Sequence, residues 1–405
     1  MADLIATYYY RPRADTTPEY AAQALAEEQT TGTWTDISTT TGYVRRLDGV
    51  VESVEPYGSG YLTRIRYPAE IFEPGNIPQY LSVFAGNLFG LGRLDSVRLL
   101  DIELPESLVA PFPGPKFGME GVRRLMGTTN RPHVGTIIKP KVGLTPKDTA
   151  SVAYEAAIGG VDLIKDDETL TDQAFCPLAD RVTAVMGRLD AAKSETGRHV
   201  LYAVNISTRP DRILERAQTA IDNGANMLMI DVLTTGFDAI RALAEDSSIR
   251  VPLHIHRTMH AAMTRNPEHG IAMRPFTRLV RMVGGDQLHT GTASGKMGHV
   301  PVEEIVGDNE SLTCRCYGLK SVFPVSSGGL HPGKVAAEIA GLGTDIVLQA
   351  GGGIHGHPDG TAAGARAMRQ AVDAAMEGVT AEEYAKDHHE LAQALRKWGA
   401  SAARS

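Results

Sequence analysis

The stretch GGVDLIKDDE, residues 159–168, indicates how this chain folds. Two glycines begin it, a short apolar segment follows, and one lysine with three acidic residues ends it. The apolar part suits a buried strand, whereas the charged end must face water, a metal or a substrate. Asp167 and Glu168 offer the oxygen ligands that Mg²⁺ prefers. Two carboxylates alone make a weak Mg²⁺ site, and Lys165 is an unexpected neighbour for a cation.

The same pattern of an apolar strand followed by a polar loop recurs along the C-terminal two thirds of the chain. Helical segments such as Asp211–Asp222 and Gly360–Glu377 separate the strands. The eight strand candidates are Val134–Pro140, Leu163–Asp167, Val200–Ile206, Met227–Val232, Val251–Arg257, Gln287–Thr292, Ser321–Ser327 and Asp345–Ala350. Eight parallel strands with crossover helices predict an α/β fold, a (β/α)₈ TIM barrel over residues 114–379.

Residues 1–113 predict a smaller α+β N-terminal domain. Its strand candidates are Leu4–Arg11, Gly49–Glu55, Tyr61–Tyr67 and Val97–Leu104, and its helix candidates are Thr17–Glu28 and Ile77–Ala85. This alternation favours a sheet covered on one face. The proline-rich segment Pro111–Lys116 marks the boundary to the barrel. Residues 380–405 predict a helical tail.

Composition excludes several classes of protein. The 405 residues carry a net charge of −8, so no general affinity for nucleic acid is expected. No run approaches about 18 apolar residues, and the N-terminus lacks the features of a signal peptide, so neither a membrane span nor secretion is predicted. The three cysteines, Cys176, Cys314 and Cys316, do not match a zinc pattern and suit a reducing, cytoplasmic compartment.

Reactive residues follow the predicted strands at the end where a barrel carries its active site. These residues are Lys139, Lys141, Lys165, Asp167, Glu168, Asn205, His254, His256, Arg257, His260, His289, Lys296 and Ser327. Glycine runs follow the last two strands, at Gly328–Gly329 and Gly351–Gly353. Such runs suit tight turns, and two on adjacent strands favour a phosphate site. Arg257 and His289 suit a second phosphate across the mouth.

For several of these residues, the sequence allows both a functional and a structural role. Lys296, between glycines, suits either a lid that closes on substrate or an exposed surface lysine. His256 is favoured as functional, whereas His254, one layer deeper, is favoured as structural. Lys165 is either a salt-bridged lysine with a raised pKa, or an amine that reacts with CO₂ to form a carbamate. The carbamate would supply a third oxygen ligand for Mg²⁺. His355 and His357 receive no role.

Nearly the whole chain resembles the large subunit of ribulose-1,5-bisphosphate carboxylase/oxygenase (RuBisCO). The resemblance is carried by TTGTW (30–34), GNLFG (86–90), GTIIKPKVG (135–143), GVDLIKDDE (160–168), LHIHRTMH (253–260), GGDQLHTGTASGK (284–296), SSGGLH (326–331) and LQAGGGIHGHP (348–358). The short tail and the stretch 115–124 are similar to the archaeal, form III branch. The resemblance implies carboxylation of ribulose bisphosphate to two 3-phosphoglycerates, with competing oxygenation, through a Mg²⁺-bound enediolate.

The resemblance also implies a role for each site residue. Lys165, as a carbamate formed from activating CO₂, would hold Mg²⁺ with Asp167 and Glu168 and act as the base that enolises the substrate. Lys139 and His256 would transfer protons, and Lys296 would stabilise the new carboxylate. The substrate-binding residues would be Glu28, Thr33, Trp34, Asn87, Lys141, Arg257, His289, Ser327, Gly328, Gly329, Gly351 and Gly352. Residues of the N-terminal domain would complete the site of a neighbouring subunit, so a homodimer without a small subunit is expected.

Two residues depart from the pattern of the family: Ile137 stands where plant-type members carry a threonine that contacts substrate, and Gly298 stands where many members carry a glutamate beside the loop lysine. Three hypotheses follow. The first is a true carboxylase; the second is a RuBisCO-like enolase or isomerase acting on a ribulose-type phosphate; the third is a non-catalytic barrel used for assembly. The completeness of the site favours the first. Form III resemblance also implies salvage of nucleotide-derived ribulose bisphosphate or a related sugar-phosphate cycle.

Overall fold

The computed structural model describes residues 2–32, 35, 37–294 and 300–400. Contacts divide the chain into two compact units, one from the described parts of residues 1–113 and 259–282, the other from the described parts of 114–258 and 283–405. The domain boundaries predicted from the sequence stay a prediction. They differ from this division by placing residues 259–282 with the barrel and residues 380–405 apart from it.

The first unit is built on a mixed five-stranded sheet. Its strands are β1 (Leu4–Pro12), β2 (Val50–Tyr57), β3 (Gly60–Tyr67), β4 (Leu94–Glu103) and the short Gly270–Ile271. From one edge to the other the order is Gly270–Ile271, β4, β1, β3, β2. Its helices are Pro18–Glu28, Ile77–Phe84, Glu106–Val109, Ala261–Thr264 and Met273–Val283, whose last residue belongs to the second unit. Short 3₁₀ turns cover Val44–Leu47, Ala69–Ile71 and Asn87–Gly90.

The second unit contains a closed barrel of eight parallel strands, as predicted. They are β5 (His133–Ile137), β6 (Leu163–Lys165), β7 (Leu201–Asn205), β8 (Met227–Asp231), β9 (Leu253–His256), β10 (Gln287–His289), β11 (Phe323–Ser327) and β12 (Val347–Ala350). Each strand pairs with the next, and β12 closes on β5. Runs such as Met227–Asp231 are buried throughout, as expected for strands covered on both faces.

The second unit also contains helices, most of which follow a barrel strand. They are Gly118–Met126, Pro146–Gly159, Leu178–Thr196, Ile213–Asp222, Val232–Thr235, Phe237–Glu245, Val302–Thr313, Val335–Leu342, Gly352–His355, Gly360–Met376, Ala381–Tyr384 and His389–Trp398. Two 3₁₀ turns cover Pro210–Arg212 and Pro332–Lys334. Among the described helices, none is both long enough and apolar enough to cross a bilayer.

Several barrel strands end earlier than predicted. The strand predicted to reach Pro140 ends at Ile137, and the one predicted to reach Asp167 ends at Lys165. The strand predicted to reach Thr292 ends at His289. The next residue of each strand still donates one backbone hydrogen bond to its neighbour, from Ile138 to Lys165, from Asp166 to Ala203 and from Thr290 to Val325, and the regular pairing ends there. The reactive residues therefore lie on loops at the strand ends.

The stretch 159–168 is positioned by the helix that precedes it. Thr145 caps that helix and forms a reciprocal capping box with Asp148, and Pro146 occupies the first turn. Gly159 is the last helical residue, not part of a turn, and Gly160 ends the helix in the left-handed region at φ 103°. A residue with a Cβ would be strained there, so glycine suits the reversal into β6.

The other end of the barrel is closed by the helix Gly118–Met126. Val122 and Met126 pack in one buried cluster with residues that begin the strands, including Leu163, Leu201 and Phe323. Asp286 fastens the start of this helix. Its Oδ1 accepts hydrogen bonds from the backbone N–H groups of Phe117 and Gly118 at 2.8 and 2.7 Å, and its Oδ2 accepts from Leu253 at 2.8 Å.

Asp286 makes the stability of the protein depend on pH. Burial raises the pKa of its carboxyl to about 6, although the backbone N–H donors oppose this rise. The pKa of Asp286 in the folded protein exceeds its unfolded value of about 3.9, so the folded state binds this proton more tightly than the unfolded state. The contribution of the protonated carboxyl to folding stability is therefore fully present below pH ~4 and is lost as pH rises through ~6. We expect the difference in unfolding free energy between wild type and Asp286→Asn to change by up to ~3 kcal/mol between pH 4 and 7. Denaturant unfolding of both proteins measures it, and a constant difference would contradict the assignment.

Candidate active site

Five ionisable side chains that follow β5 and β6 meet at one end of the barrel. Lys139 Nζ donates to Asp167 Oδ2 at 2.7 Å. Lys141 Nζ lies 3.3 Å from Glu168 Oε1, and Lys165 Nζ lies 4.0 Å from Glu168 Oε2. This is the carboxyl end of the strands, where barrel enzymes carry their active sites. The residues predicted from these two strand ends are therefore brought together.

The carboxyls of Asp167 and Glu168 stay ionised in this setting. Burial raises the pKa of Asp167, but hydrogen bonds from Lys139 and Thr169 outweigh burial and hold the pKa below its usual value. Burial also raises the pKa of Glu168, but the positive charge that His256 and Lys165 carry when they are protonated, together with a backbone hydrogen bond, lowers it. Two ionised carboxylates, each facing a lysine, have the charge that a divalent cation requires.

Lys165 is almost completely buried, with a side chain only 1% exposed. Its Nζ donates to the Asp166 carbonyl oxygen at 2.7 Å. Burial lowers the pKa of this amine, and the opposing charges of Glu168 and Asp167 do not restore it. The salt-bridge interpretation predicted a raised pKa, and that prediction was wrong because loss of solvent outweighs the nearby acids. A lowered pKa favours the neutral amine, which is the form that reacts with CO₂.

Asp166 points away from the mouth and supports the strand end from behind. Its Oδ1 accepts from the Tyr202 hydroxyl at 2.5 Å, and its Oδ2 lies 3.2 Å from Arg181 Nη2. Both charged side chains are fully buried. Asn205 holds the next two residues, because its Nδ2 donates to the carbonyl oxygens of Asp167 and Glu168 at 3.2 and 3.1 Å. Asp166 and Asn205 thus support the backbone from which Asp167 and Glu168 reach the mouth.

His256 reaches the acidic cluster from β9. Its Nε2 lies 3.9 Å from Glu168 Oε2, and its Nδ1 lies 2.7 Å from Asp231 Oδ1. Since a carboxylate only accepts, Nδ1 carries the proton and Nε2 presents its lone pair to the mouth. The Thr258 backbone nitrogen also lies 3.1 Å from Nδ1. The contact of Nδ1 with Asp231 is shorter, so we place the ring proton on Nδ1, facing Asp231. Burial lowers the pKa of His256, so the imidazole is neutral.

Asp231 is a site residue that the sequence reasoning missed. It is the last residue of β8, is 2% exposed and orients His256. Its position at the end of β8 was the available signal, because other strands of the barrel also carry reactive groups at this end. Ser207 donates its hydroxyl to Asp231 Oδ2 at 3.4 Å and so completes this support.

The three histidines His254, His256 and His289 pack together. His254 Nδ1 lies 2.7 Å from Gln287 Oε1, and the Nε2 atoms of His254 and His289 are 2.8 Å apart. His289 Nδ1 lies 2.7 Å from Ser327 Oγ. With Gln287 Oε1 accepting, each ring donates from one nitrogen and accepts at the other, so the serine hydroxyl donates to His289. Burial lowers the pKa of both His254 and His289, which agrees with neutral rings.

The glycine loops after β11 and β12 pack against each other. Gly328 and Gly329 have φ values of 125° and 81°, which favour glycine. A Cβ on Gly353 would collide with the Leu330 carbonyl oxygen. A Cβ on Gly351 would lie 3.2 Å from Lys139 Cε, so the lysine side chain passes directly over this turn. Two adjacent loops that bring the backbone this close suit a bound phosphate.

Arg257 follows β9 and lies beside the β10 loop. Its Nη2 is 3.3 Å from the position that a Cβ on Gly291 would occupy. Burial lowers the pKa of Arg257 to about 10, while the charge of Asp308 opposes this. The guanidinium therefore remains a cation at neutral pH and can hold an anionic group.

The remaining predicted residues lie elsewhere. Thr33, Trp34 and Lys296 are outside the described residues. Glu28 ends the helix Pro18–Glu28 and Asn87 begins the turn Asn87–Gly90, both exposed and both in the first unit. Their roles as substrate-binding residues stay predictions.

The donor set fits Mg²⁺ only if Lys165 is modified. Within the described residues, no group of three or more His, Cys, Asp or Glu side chains could hold a metal ion. Asp167 and Glu168 supply two oxygens, and Lys165 Nζ lies beside them. A carbamate on that nitrogen would turn the position into an oxygen ligand, giving the all-oxygen set that Mg²⁺ prefers.

Comparison with protein families gives two matches that together span most of the chain. The family described as "Ribulose bisphosphate carboxylase large chain, N-terminal domain" matches residues 1–108. The family described as "Ribulose bisphosphate carboxylase large chain, catalytic domain" matches residues 118–398.

Curated relatives and solved structures agree with these matches. The chain is 43% identical over 398 residues to the ribulose bisphosphate carboxylase of Pyrococcus furiosus, covering 98% of this chain and 94% of the relative. It is similar to the octameric RuBisCO of Pyrococcus horikoshii, crystallised with sulfate, at TM-score 0.93 and 41% identity, covering 98% and 94% of the two chains. It is also similar to the dimeric archaeal RuBisCO of Hyperthermus butylicus, at TM-score 0.90 and 38% identity, covering 99% and 96%. These similarities favour the first of the three hypotheses.

Proposed function

Since the chain belongs to the family of ribulose bisphosphate carboxylase large chains, we propose that its barrel mouth carboxylates D-ribulose 1,5-bisphosphate. Carbon dioxide and water add to the substrate, and the product is two molecules of 3-phosphoglycerate. The observation that carries the proposal is the convergence of Lys139, Lys165, Asp167, Glu168 and His256 at one end of the barrel. Molecular oxygen competes with carbon dioxide for the same enediolate.

Lys165 is the residue whose modification starts the reaction. Its buried amine, whose pKa is lowered, would react in the neutral form with an activating CO₂ to give a carbamate, and the proton lost from nitrogen would pass to solvent. The carbamate, with Asp167 and Glu168, would hold Mg²⁺, which polarises the substrate carbonyl when bound. A carbamate at this position would also supply the base for the proton at C3. His256, which presents its Nε2 lone pair 3.9 Å from Glu168 Oε2, is placed to accept a proton in the same mouth.

Lys139 moves protons at C2, and Lys141 supports it. Lys139 Nζ lies 2.7 Å from Asp167 Oδ2, so its ammonium lies beside the proposed metal ligands. When the C2–C3 bond breaks, the electron pair left on C2 takes a proton from this ammonium. Lys296, whose position lies outside the described residues, would stabilise the carboxylate formed when CO₂ adds.

The two phosphates of the substrate bind at opposite sides of the mouth. Arg257, a half-buried cation, binds one phosphate, while His289 holds Ser327 so that its hydroxyl oxygen serves the nearby sugar hydroxyls. The other phosphate binds at the glycine loops through Gly328, Gly329, Gly351 and Gly352, where backbone N–H groups can approach closely. Thr33 and Trp34 would complete this second site.

A homodimer is the smallest unit expected to work, without a small subunit. The partner subunit's Glu28 and the partner subunit's Asn87 would complete the site, because both residues are exposed in the unit that precedes the barrel. Mixing a Lys165 variant with an Asn87 variant should then restore part of the activity, since mixed dimers contain one intact site. Mixtures that stay inactive after dissociation and reassembly would contradict shared sites.

The assay that tests the proposed function uses purified protein, Mg²⁺, ribulose bisphosphate and radiolabelled bicarbonate. We expect acid-stable label in 3-phosphoglycerate. Loss of the C3 proton to solvent without fixation of label would instead indicate an enolase or isomerase. Absence of both reactions after activation with bicarbonate and Mg²⁺ would contradict the proposed function altogether.

A further inference from the structure

His355 has contacts that the proposed reaction does not yet use. It ends the helical turn Gly352–His355, directly after the glycine loop of β12. Its Nε2 lies 3.0 Å from the Ile137 carbonyl oxygen and 3.0 Å from Thr136 Oγ1. Its Nδ1 lies 3.1 Å from Thr361 Oγ1. One side chain thus joins β5, the glycine loop and the start of the helix Gly360–Met376.

The partners of His355 fix where its proton lies. A carbonyl oxygen only accepts, so Nε2 carries the hydrogen and donates it to Ile137. Nδ1 then accepts from the hydroxyl of Thr361. The Thr136 hydroxyl donates to the Ala350 carbonyl oxygen at 2.8 Å, which links β5 directly to the end of β12. Burial lowers the pKa of His355 to about 4, which agrees with a neutral ring.

The segment held by His355 carries Lys139. Ile137 is two residues before this lysine. The lysine side chain passes over Gly351, within 3.2 Å of the position that a Cβ there would occupy, and its Nζ reaches Asp167 at 2.7 Å. The hydrogen bond from His355 therefore sets the separation between the start of the lysine segment and the glycine turn beneath it.

We propose that His355 is a positioning residue that aims Lys139. It holds the end of β5 against the Gly351–Gly352 turn, so that the ammonium lies over C2 while the turn binds the phosphate. This inference rests on the proposed function, and it requires no contact between His355 and the substrate. Neighbouring His357 offers a matched comparison, because its Nε2 contacts the Glu390 carbonyl oxygen, away from Lys139.

The chemistry at C2 supplies a readout that a purely structural role would not change. After the C2–C3 bond breaks, the electron pair on C2 has two fates. A proton from Lys139 gives 3-phosphoglycerate. Without that proton the pair forms a carbon–carbon double bond and expels inorganic phosphate from the neighbouring carbon, giving the enol of pyruvate, which becomes pyruvate. The ratio of pyruvate to 3-phosphoglycerate therefore reports how well the Lys139 ammonium is positioned to protonate C2.

The test compares His355→Leu, His355→Gln and Thr361→Val with His357→Leu. We expect His355→Leu to lower kcat by about three- to tenfold, the effect of one positioning hydrogen bond, and to raise the pyruvate ratio by a similar factor. The KM for ribulose bisphosphate should stay within about twofold, since the phosphate contacts remain. Glutamine can both donate to Ile137 and accept from Thr361, so His355→Gln should recover most of the wild-type ratio.

Each outcome decides the proposal. A pyruvate ratio in His355→Leu equal to that of His357→Leu would overturn it, as would a glutamine variant no better than leucine. If His355→Leu fails to fold, Thr361→Val and His355→Gln still decide, because Thr361→Val should raise the ratio in the same direction by a smaller factor. A wild-type protein that forms no 3-phosphoglycerate would contradict the proposed function instead, and an active wild type with unaffected variants contradicts only the role of His355.

Discussion

Lys165→Arg should lower the rate of carboxylation by about 10²- to 10⁴-fold, the loss that follows removal of a general base. Arginine keeps a positive charge near Glu168, but its guanidinium does not form a carbamate under these conditions. If Lys165 acted only as a salt-bridged cation, this variant would keep much of its activity. Fixation of radiolabelled bicarbonate measures the rate.

The carbamate has a direct signature besides activity. Wild-type protein incubated with ¹³C-bicarbonate and Mg²⁺ should show a carbamate carbon signal by NMR, and Lys165→Arg should lack it. Lys147→Arg is the matched control, because Lys147 is an exposed lysine in the first turn of the helix Pro146–Gly159. An arginine variant with near wild-type fixation would contradict both the carbamate and the assignment of the base.

Asp231→Asn should lower kcat by about 10²-fold or more while the KM for ribulose bisphosphate changes little. The asparagine amide can donate to His256 Nδ1, which the carboxylate cannot do. The proton of the ring would then move to Nε2, so the lone pair that faces Glu168 would be lost. Steady-state kinetics of carboxylation measure this change.

The control for this variant is Asp238→Asn, an exposed acid in the helix Phe237–Glu245. Both variants should unfold at similar temperatures, because a neutral isosteric amide fills the same space. A kcat within about twofold of wild type for Asp231→Asn would show that His256 does not need this partner.

The sequence predicted the barrel because its signals are local and repeated. Each strand is an apolar run that a glycine or proline bounds, as in the reversal at Gly160, and a parallel strand with two buried faces needs no partner information to be recognised. The ends of the strands were less predictable. The side chain of Asp166 turns to Arg181 and Tyr202, and these partners are distant in sequence.

The predicted site residues of β5 and β6 lie together because strand ends of a parallel barrel share one rim. The supporting residues were harder to predict, because each of them acts only through its contact with another residue. Asp231 matters only through His256, and His355 only through Ile137. The lowered pKa of Lys165 was missed for the same reason: the acids beside it are visible in the sequence, whereas its burial depends on the whole barrel.

The single hydroxyl hydrogen of Ser327 is already engaged in a hydrogen bond. Its hydroxyl donates to His289 Nδ1, in the chain of contacts that ends at Gln287. What remains toward the mouth is a pair of acceptor sites, which repel a phosphate oxygen and attract a donor. Ser327 is therefore suited to receive a hydroxyl hydrogen of the sugar, and Arg257 is left to neutralise the phosphate. This division would let one rim of the mouth distinguish the polyol backbone of a substrate from its charged ends.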